Sequence, residues 1–225
     1  MDPNDIQAMN RQTVARYDRR LDERGPGAFA LGWGNETYQM KRFEALLHSL
    51  DRRDLEGRAV LDVGCGLGDL LAFLRGRGMA PRSYRGLDIN PRFIDEARRR
   101  FPDAEFDVRD LVLEPFPSPV AETGVMLGVI NFRHERQWEH AASLVACAFQ
   151  AVDRVLVVNA ISDVHNENYP REDFIHYYAP AEMLKWAQGI TPFCSLTHDY
   201  RGEPQHEFML VMRKQPWVPI EERAP

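Results

Sequence analysis

Apolar residues recur along this chain with two different periods. Over residues 4–23 and 36–53 they recur at steps of three and four, which predicts two helices, the first of them polar and rich in arginine. From residue 58 onwards, short β-branched runs alternate with helical segments. We therefore expect a helical N-terminal lid over residues 1–53, a larger α/β domain over 54–215 and a short tail over 216–225.

The larger domain is predicted to contain seven strands and four helices. The strands are expected at 58–63, 83–89, 105–108, 123–130, 154–159, 193–200 and 207–213. The helices are expected at 67–77, 91–101, 133–151 and 180–189. This alternation predicts a doubly wound, mostly parallel sheet with helices on both faces and a C-terminal antiparallel hairpin that turns at Gly202-Glu203-Pro204. Ligands of such sheets bind beyond the carboxyl ends of the strands, beside the first strand.

Composition and charge narrow the class of protein. With 225 residues, 44% of them apolar, the chain can bury a sizeable core. The net charge of −6 disfavours a dedicated nucleic-acid binder, because such proteins neutralise phosphates. The longest apolar run, residues 125–130, is too short to cross a membrane, and the acidic N-terminus is unlike a secretory signal. Three distant cysteines form no disulfide framework. We therefore expect a cytoplasmic protein without nucleic-acid or membrane partners.

The most informative segment is a glycine loop, residues 61–69 (LDVGCGLGD), which follows a strand and opens a helix. Its glycines allow a sharp turn and a close backbone approach to a ligand. The nicotinamide fingerprint G-x-G-x-x-G would place its third glycine at Asp69, where a carboxylate would repel a diphosphate. The spacing therefore disfavours a nicotinamide-dependent oxidoreductase. It favours a ligand that carries an ammonium group and no phosphate, with Asp62 as a partner of the ammonium.

Two further strand ends carry carboxylates. Asp88 ends the second strand, where a carboxylate can accept hydrogen bonds from both hydroxyls of a ribose. Asp110 follows the third strand and can accept from the amino group of an adenine. Ile89 and Leu111 would lie beside the adenine ring, with Phe132 as a rival aromatic wall. Alternatively, both carboxylates are simple caps of their strand ends.

These segments resemble the class I S-adenosylmethionine-dependent methyltransferases. LDVGCGLGD is similar to the first motif of that family, GLDIN to the second, and RDL to the acidic tip of the third strand. The resemblance covers residues 58–160 and the closing hairpin, and it implies a Rossmann-like methyltransferase fold with S-adenosylmethionine as cofactor. A vaguer resemblance, to a bacterial subgroup that methylates small molecules, rests on the segment LGWGNETYQMKRF and on HDY followed by HEF.

The resemblance also implies roles for individual residues. Asp62, Gly64, Gly66 and Gly128 would contact the methionine part of the cofactor, Asp88 the ribose, and Asp110 with Leu111 the adenine. The residues expected at the cofactor are, in chain order, Trp33, Asp62, Gly64, Cys65, Gly66, Asp88, Ile89, Asp110, Leu111 and Gly128. Trp33 is included because an aromatic face near a sulfonium is favourable. Cys65 is expected to pack rather than to act as a nucleophile, because no histidine pairs with it in sequence.

Two departures from the family pattern bear on the substrate. Glu122 stands where many members have aspartate, before the fourth strand. Residues 130–132 (INF) replace the Asn-Pro-Pro-Tyr of many members that methylate nitrogen in nucleic acids and proteins. The second departure disfavours polymer substrates.

The methyl acceptor is expected to enter above the strand ends, between the lid, the loop after the fourth strand and the polar loop at 161–179. The residues expected to bind it are Tyr17, Tyr38, Arg42, Arg133 and Tyr177. The two arginines can hold an acidic group by bidentate hydrogen bonds, although each can equally be a surface arginine on a helix. His165 is the candidate general base and Tyr178 the second catalytic candidate. The alternatives are a solvated loop histidine and a packed tyrosine.

The sequence thus predicts an enzyme that transfers a methyl group to a small, polar or acidic metabolite by in-line displacement. Metal ligands are not expected, because Asp163, Glu167 and Asp199 are scattered and the histidines lack helical ligand spacing. The alternatives are a protein or RNA methyltransferase and a non-catalytic protein that binds the cofactor. The N-terminal helices can serve a homodimer as well as a lid.

Overall fold

The computed structural model describes residues 1–164, 167, 170–200 and 206–218. Its helices are α1 (Pro3–Arg24), α2 (Glu36–Ser49), α3 (Asp69–Gly76), α4 (Pro91–Arg100), α5 (Gln137–Gln150) and α6 (Pro180–Gln188). Its strands are β1 (Ala59–Val63), β2 (Ser83–Asp88), β3 (Glu105–Val108), β4 (Ala121–Met126), β5 (Val152–Ile161), β6 (Cys194–Thr197) and β7 (Glu207–Arg213). Both helices of the predicted lid are therefore present.

One sheet of seven strands organises the molecule, in the order β3-β2-β1-β4-β5-β7-β6. The first five strands pair in parallel, and β7 pairs antiparallel with both β5 and β6. The strand order reverses its direction at β1, so a crevice opens there at the carboxyl ends of β1 and β4. The predicted doubly wound sheet with an antiparallel C-terminal edge is confirmed. The predicted turn at Gly202-Glu203-Pro204 lies outside the described residues.

Helices cover both faces of the sheet, and alternate strand residues point into two separate cores. On one face, Leu156 and Val158 of β5 pack with residues of α5 and α6. On the other face, Val155 and Val157 pack with residues of α2, α3 and α4. Every residue of β1 is buried, as expected for a central parallel strand. Within the described residues, no helix is both long enough and apolar enough to cross a membrane.

The bounds of several elements differ from the sequence predictions. β4 ends at Met126 and α5 begins at Gln137, so residues 127–136 are neither the predicted strand end nor the predicted first helical turns. Gly128 adopts a φ of 74°, which breaks the strand. β5 runs from 152 to 161, longer than predicted, because β7 extends its pairing to Ile161. β6 is only four residues long instead of eight.

Candidate functional site

The glycine loop forms part of the wall of a cleft at the carboxyl ends of the strands. Gly64 and Gly66 have φ angles of 76° and 53°, a region that residues with side chains rarely adopt. A Cβ atom on Gly66 would lie 2.6 Å from Leu31 Cδ2, and one on Gly64 would collide with Val129. The Gly64 amide donates to the Leu87 carbonyl oxygen at 2.7 Å, which ties the loop to β2. A side chain at either glycine would therefore collide with Val129 or Leu31 at the margin of the cleft.

Asp88, the last residue of β2, lines the cleft beside the glycine loop. Its Oδ2 accepts from the Gly66 amide at 3.0 Å and its Oδ1 from the Asn90 amide at 2.9 Å. Burial raises the pKa of Asp88 to about 6, although these backbone hydrogen bonds act in the opposite direction. The carboxylate is thus fixed in orientation.

Asp62, in the fourth position of β1, is the most desolvated carboxylate of the cleft. The Tyr84 hydroxyl donates to its Oδ2. Burial raises the pKa of Asp62 to about 7, the Tyr84 hydrogen bond lowers it, and the charges of Asp88 and Asp69 raise it further. A cation placed near Asp62 would reverse this shift, because it would favour the ionised carboxylate.

Asp110 and its neighbours close the cleft beyond β3. Asp110 Oδ1 accepts from the amides of Val112 and Leu113 at 2.7 and 3.0 Å. The side-chain amide of Asn10, on α1, donates to Asp110 Oδ2. Leu111 is buried and lines the same space as Ile89. The arrangement places a carboxylate and two apolar side chains together, as a purine would require.

Trp33 lies at the other end of the cleft, against Gly128. A Cβ atom on Gly128 would collide with the six-membered ring of Trp33. The guanidinium carbon of Arg42 lies 4.4 Å from the centroid of the indole. Trp33 therefore packs between Arg42 of α2 and the bend that follows β4.

α1 covers the cleft through five residues, which are Met9, Asn10, Thr13, Val14 and Tyr17. Ile6 is the single buried residue of this helix, all of which the structure describes. Polar contacts hold it in place: the Asn90 side chain donates to Asp18 Oδ1 at 2.9 Å, and Arg92 pairs with Asp22 at 2.7 Å.

A cation–π contact completes this attachment. The guanidinium carbon of Arg16 lies 4.6 Å from the Phe132 ring centroid and 4.0 Å from that of Phe174. α1 is thus attached to α4, to the segment after β4 and to the segment before α6, mostly by polar groups.

Sequence reasoning expected the loop after the fourth strand beside the acceptor, but it did not single out most of the side chains of this segment and of α5 that line the cleft. His134, Gln137, His140 and Leu144 line the cleft together with Phe132. The imidazoles of His134 and His140 lie 6.3 Å apart between ring centroids. Burial lowers the pKa of His134 to about 4, and it also lowers the pKa of His140. Both imidazoles are therefore neutral at physiological pH.

The predicted site residues divide into two groups. Those that line the cleft are Tyr17, Trp33, Asp62, Gly64, Cys65, Gly66, Asp88, Ile89, Asp110, Leu111 and Gly128. The ten residues expected at the cofactor thus lie in one cleft, together with one residue expected at the acceptor. Burial raises the pKa of the Cys65 thiol well above its usual value, and the thiol donates to the Gly66 carbonyl oxygen.

The other residues expected at the acceptor lie outside the cleft lining. Tyr38 packs against Gly34, and Arg42 forms a buried ion pair with Glu207. Arg133 is exposed, and its guanidinium donates to the Asp173 carbonyl oxygen at 3.3 Å. The expected role of the two arginines in binding an acidic group therefore gains no support from their positions.

The two predicted catalytic residues and Tyr177 have different surroundings. The Tyr178 hydroxyl is buried, donates to the Ile130 carbonyl oxygen and accepts from Gln137, both at 2.7 Å. Burial raises its pKa far above that of a free tyrosine, so the hydroxyl stays protonated at physiological pH and does not serve as a general base. The Tyr177 hydroxyl accepts from the Glu172 amide at 2.9 Å, away from the cleft. His165 lies outside the described residues, and its role stays a prediction.

Charge distinguishes this cleft from a phosphate site. Its described lining carries four carboxylates, those of Asp62, Asp69, Asp88 and Asp110, against a single guanidinium, that of Arg109. Asp69 is partly compensated, since Arg100 donates to its Oδ1 at 2.6 Å. The electrostatics therefore favour a cationic ligand and disfavour a diphosphate.

Comparison with known families decides the identity of the domain. Residues 60–159, from β1 to β5, match the family model described as Methyltransferase domain. Residues 60–159 thus carry a methyltransferase domain, in agreement with the resemblance of the sequence to the class I S-adenosylmethionine-dependent methyltransferases. The matched segment contains the glycine loop, Asp88, Asp110 and the bend at Gly128. It therefore includes most of the wall of the methyltransferase cleft.

Individual proteins add to this assignment. A fatty-acid O-methyltransferase of Mycolicibacterium smegmatis is 38% identical over 90 residues, which are 37% of this chain and 31% of that protein. The chain thus spans about a third of that relative. The structure is similar to a magnesium protoporphyrin IX methyltransferase from Synechocystis PCC 6803 with bound S-adenosylhomocysteine, at 16% identity and a TM-score of 0.63, covering 92% of this chain and 97% of that one.

A small RNA methyltransferase is similar at 16% identity and a TM-score of 0.62, over 81% of this chain and 26% of that one. At these identities, both structural likenesses concern the fold alone.

The cleft of this methyltransferase domain fits S-adenosylmethionine by the chemistry of its donors. The ligand carries an ammonium group, a sulfonium and a ribose diol, and it has no phosphate. Asp62 and Asp88 supply carboxylates for cationic and hydroxyl groups, while Gly64, Gly66 and Gly128 let apolar side chains of the cleft wall lie close to the backbone. These residues would hold the cofactor, with Ile89 and Leu111 as apolar walls.

Proposed function

We propose that this protein transfers the methyl group of S-adenosylmethionine to a small-molecule acceptor inside the cleft. The observation that carries the proposal is the enclosure of a carboxylate-rich glycine cleft by α1 and Trp33. Such enclosure suits a small acceptor better than a polymer, which needs an open surface along its length. The Methyltransferase domain match across β1 to β5 supports the same reaction.

The protein's contribution to the reaction is mainly positional. When bound, S-adenosylmethionine supplies a methyl group activated on a positively charged sulfur. Asp88 and Asp62 hold and orient charged and hydroxyl groups, and the glycine loop allows close contact. α1, proposed as the lid predicted from the sequence, excludes water through Asn10, Val14 and Tyr17.

Proton removal from the acceptor has two candidate imidazoles in the described wall of the cleft, those of His134 and His140. His134 is neutral at physiological pH, because burial lowers its pKa to about 4, so it can accept a proton or a hydrogen bond. A pKa this low makes it a weak base. The proposed acceptor is therefore one that is deprotonated already or loses its proton easily.

The charge of the cleft bears on the acceptor. An acidic acceptor would meet the carboxylates of Asp62, Asp88 and Asp110, and Arg109 is the single guanidinium of the described lining. Arg109 itself donates to the Glu114 carbonyl oxygen at 2.8 Å. We therefore propose an acceptor that is polar and either uncharged or cationic, rather than the acidic one that the sequence suggested.

The proposal is tested by following a labelled methyl group. The purified chain is incubated with S-adenosylmethionine carrying a deuterated methyl group, together with either a small-molecule extract of bacterial cells or RNA and protein fractions. We expect S-adenosylhomocysteine to form with the extract, and mass spectrometry to find the label in a small molecule. Label confined to RNA or protein would overturn the small-molecule acceptor. Binding without any turnover would indicate a non-catalytic cofactor-binding protein.

A further inference from the structure

Trp33 depends on its neighbours for its orientation. It lies between Gly32 and Gly34, and glycines constrain the backbone least of all residues. Its amide donates to the Ala28 carbonyl oxygen at 3.0 Å, which fixes the backbone but leaves the indole free to rotate. The position of the ring against Gly128 must therefore be set by side-chain contacts.

One face of the indole is covered by Arg42. The guanidinium carbon lies 4.4 Å from the ring centroid, and only 5% of Arg42 is exposed to solvent. A cation over an indole attracts the ring through its quadrupole, and the attraction is stronger when water is excluded. Arg42 is therefore the charged group best placed to hold Trp33.

The guanidinium of Arg42 is itself held on two sides. Nη1 donates to the Tyr38 carbonyl oxygen at 2.8 Å, and Nη2 pairs with Glu207 Oε1. Glu207 is fully buried at the start of β7, and the Asn159 side chain donates to its Oε2 at 3.1 Å. The Asn159 side chain also donates to the Tyr200 hydroxyl at 2.9 Å. These contacts connect Trp33 to the carboxyl end of β5 and to the start of β7.

Stability alone does not explain this arrangement. A buried ion pair is often no more stabilising than two apolar side chains of similar volume. Among the described residues, Arg42 Nε and Asn159 Oδ1 have no hydrogen-bond partner, which adds to the cost of burying these groups. A pair of apolar side chains would not place a rigid, flat cation against the indole.

We propose that Arg42, held by Glu207, is a positioning residue that keeps Trp33 against Gly128 and thereby sets the affinity of the cleft for the cofactor. The inference rests on the proposed function for its ligand, and on the contacts of Trp33 for its geometry. It gives Arg42 a role different from the direct binding of an acidic substrate.

The test replaces both charges, because removing one would leave the other buried and unpaired. Arg42→Met with Glu207→Gln keeps an oxygen acceptor for Asn159 and removes the cation beneath Trp33. The variant is labelled with 5-fluorotryptophan, and the resonance of Trp33 is assigned with Trp33→Phe. We expect a shifted or broadened Trp33 resonance in the ligand-free protein and about tenfold weaker binding of S-adenosylhomocysteine by calorimetry, with a melting temperature close to that of the parent protein.

A double-mutant cycle separates positioning from a general effect on the fold. If Arg42 acts through Trp33, the paired substitution should change the affinity by less than about twofold when Trp33 is already phenylalanine. The matched control is Asp54→Asn with Arg213→Met, which removes a largely buried ion pair of 2.7 Å at the amino ends of the strands. This control should leave both the Trp33 resonance and the affinity unchanged.

Several results would overturn the proposal. An unshifted Trp33 resonance with unchanged affinity in the paired variant would reduce Arg42 to a structural residue. If that variant does not fold, Arg42→Lys keeps the charge and loses the flat face, and parental affinity in this variant would have the same meaning. Failure of the parent protein to bind S-adenosylhomocysteine would count against the proposed function instead, and the ligand-free resonance would still report on Arg42.

Discussion

Asp88 is the residue on which cofactor affinity should depend most. It accepts two backbone hydrogen bonds at the bend where the cleft opens, and its carboxylate faces the cleft. Asp88→Ala removes an acceptor for ribose hydroxyls and leaves the Gly66 amide without its partner. We expect affinity for S-adenosylhomocysteine to fall roughly 30- to 100-fold, as for loss of hydrogen bonds to a charged group.

Isothermal titration measures this change. Asp107→Ala is the matched control, since Asp107 lies on the adjacent strand β3 and pairs with Arg85 at 2.7 Å, outside the cleft. Equal affinities for the Asp88 variant and the parent protein would show that the proposed ribose site is placed wrongly.

The raised pKa values of Asp62 and Asp88 predict a pH dependence of binding. In the free protein, Asp62 titrates at about 7 and Asp88 at about 6, because burial disfavours their ionised forms. A cationic ligand needs them ionised, so binding below these values must release protons. Affinity should therefore be constant above pH 8 and fall by up to about tenfold for each pH unit and each carboxylate below their pKa values.

Calorimetry in two buffers of different ionisation enthalpy would detect the released protons at pH 6. Asp88→Asn removes one of the titrating groups, so it should release fewer protons. Affinity that is independent of pH between 5 and 8 would contradict the assignment of these carboxylates to the ligand.

At the scale of elements, α1 determines how the cleft opens. Ile6 is its single buried residue, and its attachments include hydrogen bonds, ion pairs, the contacts of Arg16 with two phenylalanines and an edge contact of Tyr17 with Phe93. Surface ion pairs contribute little stability, so α1 should open at a low free-energy cost. We expect fast amide hydrogen exchange in α1 without ligand and markedly slower exchange with S-adenosylhomocysteine.

Mass spectrometry of exchanged peptides measures this difference. α6, which lies away from the cleft, should exchange at the same rate in both states and serves as the internal control. If α1 were equally protected with and without the ligand, it would be a fixed part of the fold rather than a lid.

The elements also show what the sequence could predict. Local spacing was sufficient for the glycine loop, for Asp88 and for Asp110, because each lies at the end of a strand or within two residues of it. The bend over 127–136 was predicted as strand and helix, since its apolar residues continue both patterns. It is in this bend and in the first turns of α5 that His134, Gln137 and His140 enter the cleft wall, and no local signal marked them.

Contacts between distant residues were beyond prediction for a different reason. The Asn10 amide meets Asp110 across 100 residues of sequence, and Arg42 meets Glu207 across 165. An arginine on a polar helix face gives no indication of whether it meets solvent, substrate or a buried carboxylate. Tertiary packing decides this, so the substrate role predicted for Arg42 had no physical basis in its local sequence.

At the scale of the whole molecule, the reversal of strand order at β1 places every predicted cofactor residue at one crevice. β2 and β3 lie on one side of β1, β4 and β5 on the other, and the strand ends that meet there carry Asp62, Asp88 and Gly128. Trp33 reaches the same crevice from the segment between α1 and α2. The excess of carboxylates along this crevice favours a positively charged sulfonium ligand over a dinucleotide, because the carboxylates would repel the diphosphate.

The central claim is that this crevice binds a sulfonium nucleoside and not a diphosphate. Calorimetric titration of the full chain at pH 8 with S-adenosylmethionine, S-adenosylhomocysteine and a nicotinamide dinucleotide tests it most directly. We predict saturable binding of one equivalent of either sulfur ligand and no heat from the dinucleotide. Binding of the dinucleotide, or neither heat nor a thermal shift with the sulfur ligands at about millimolar concentration, would contradict the claim.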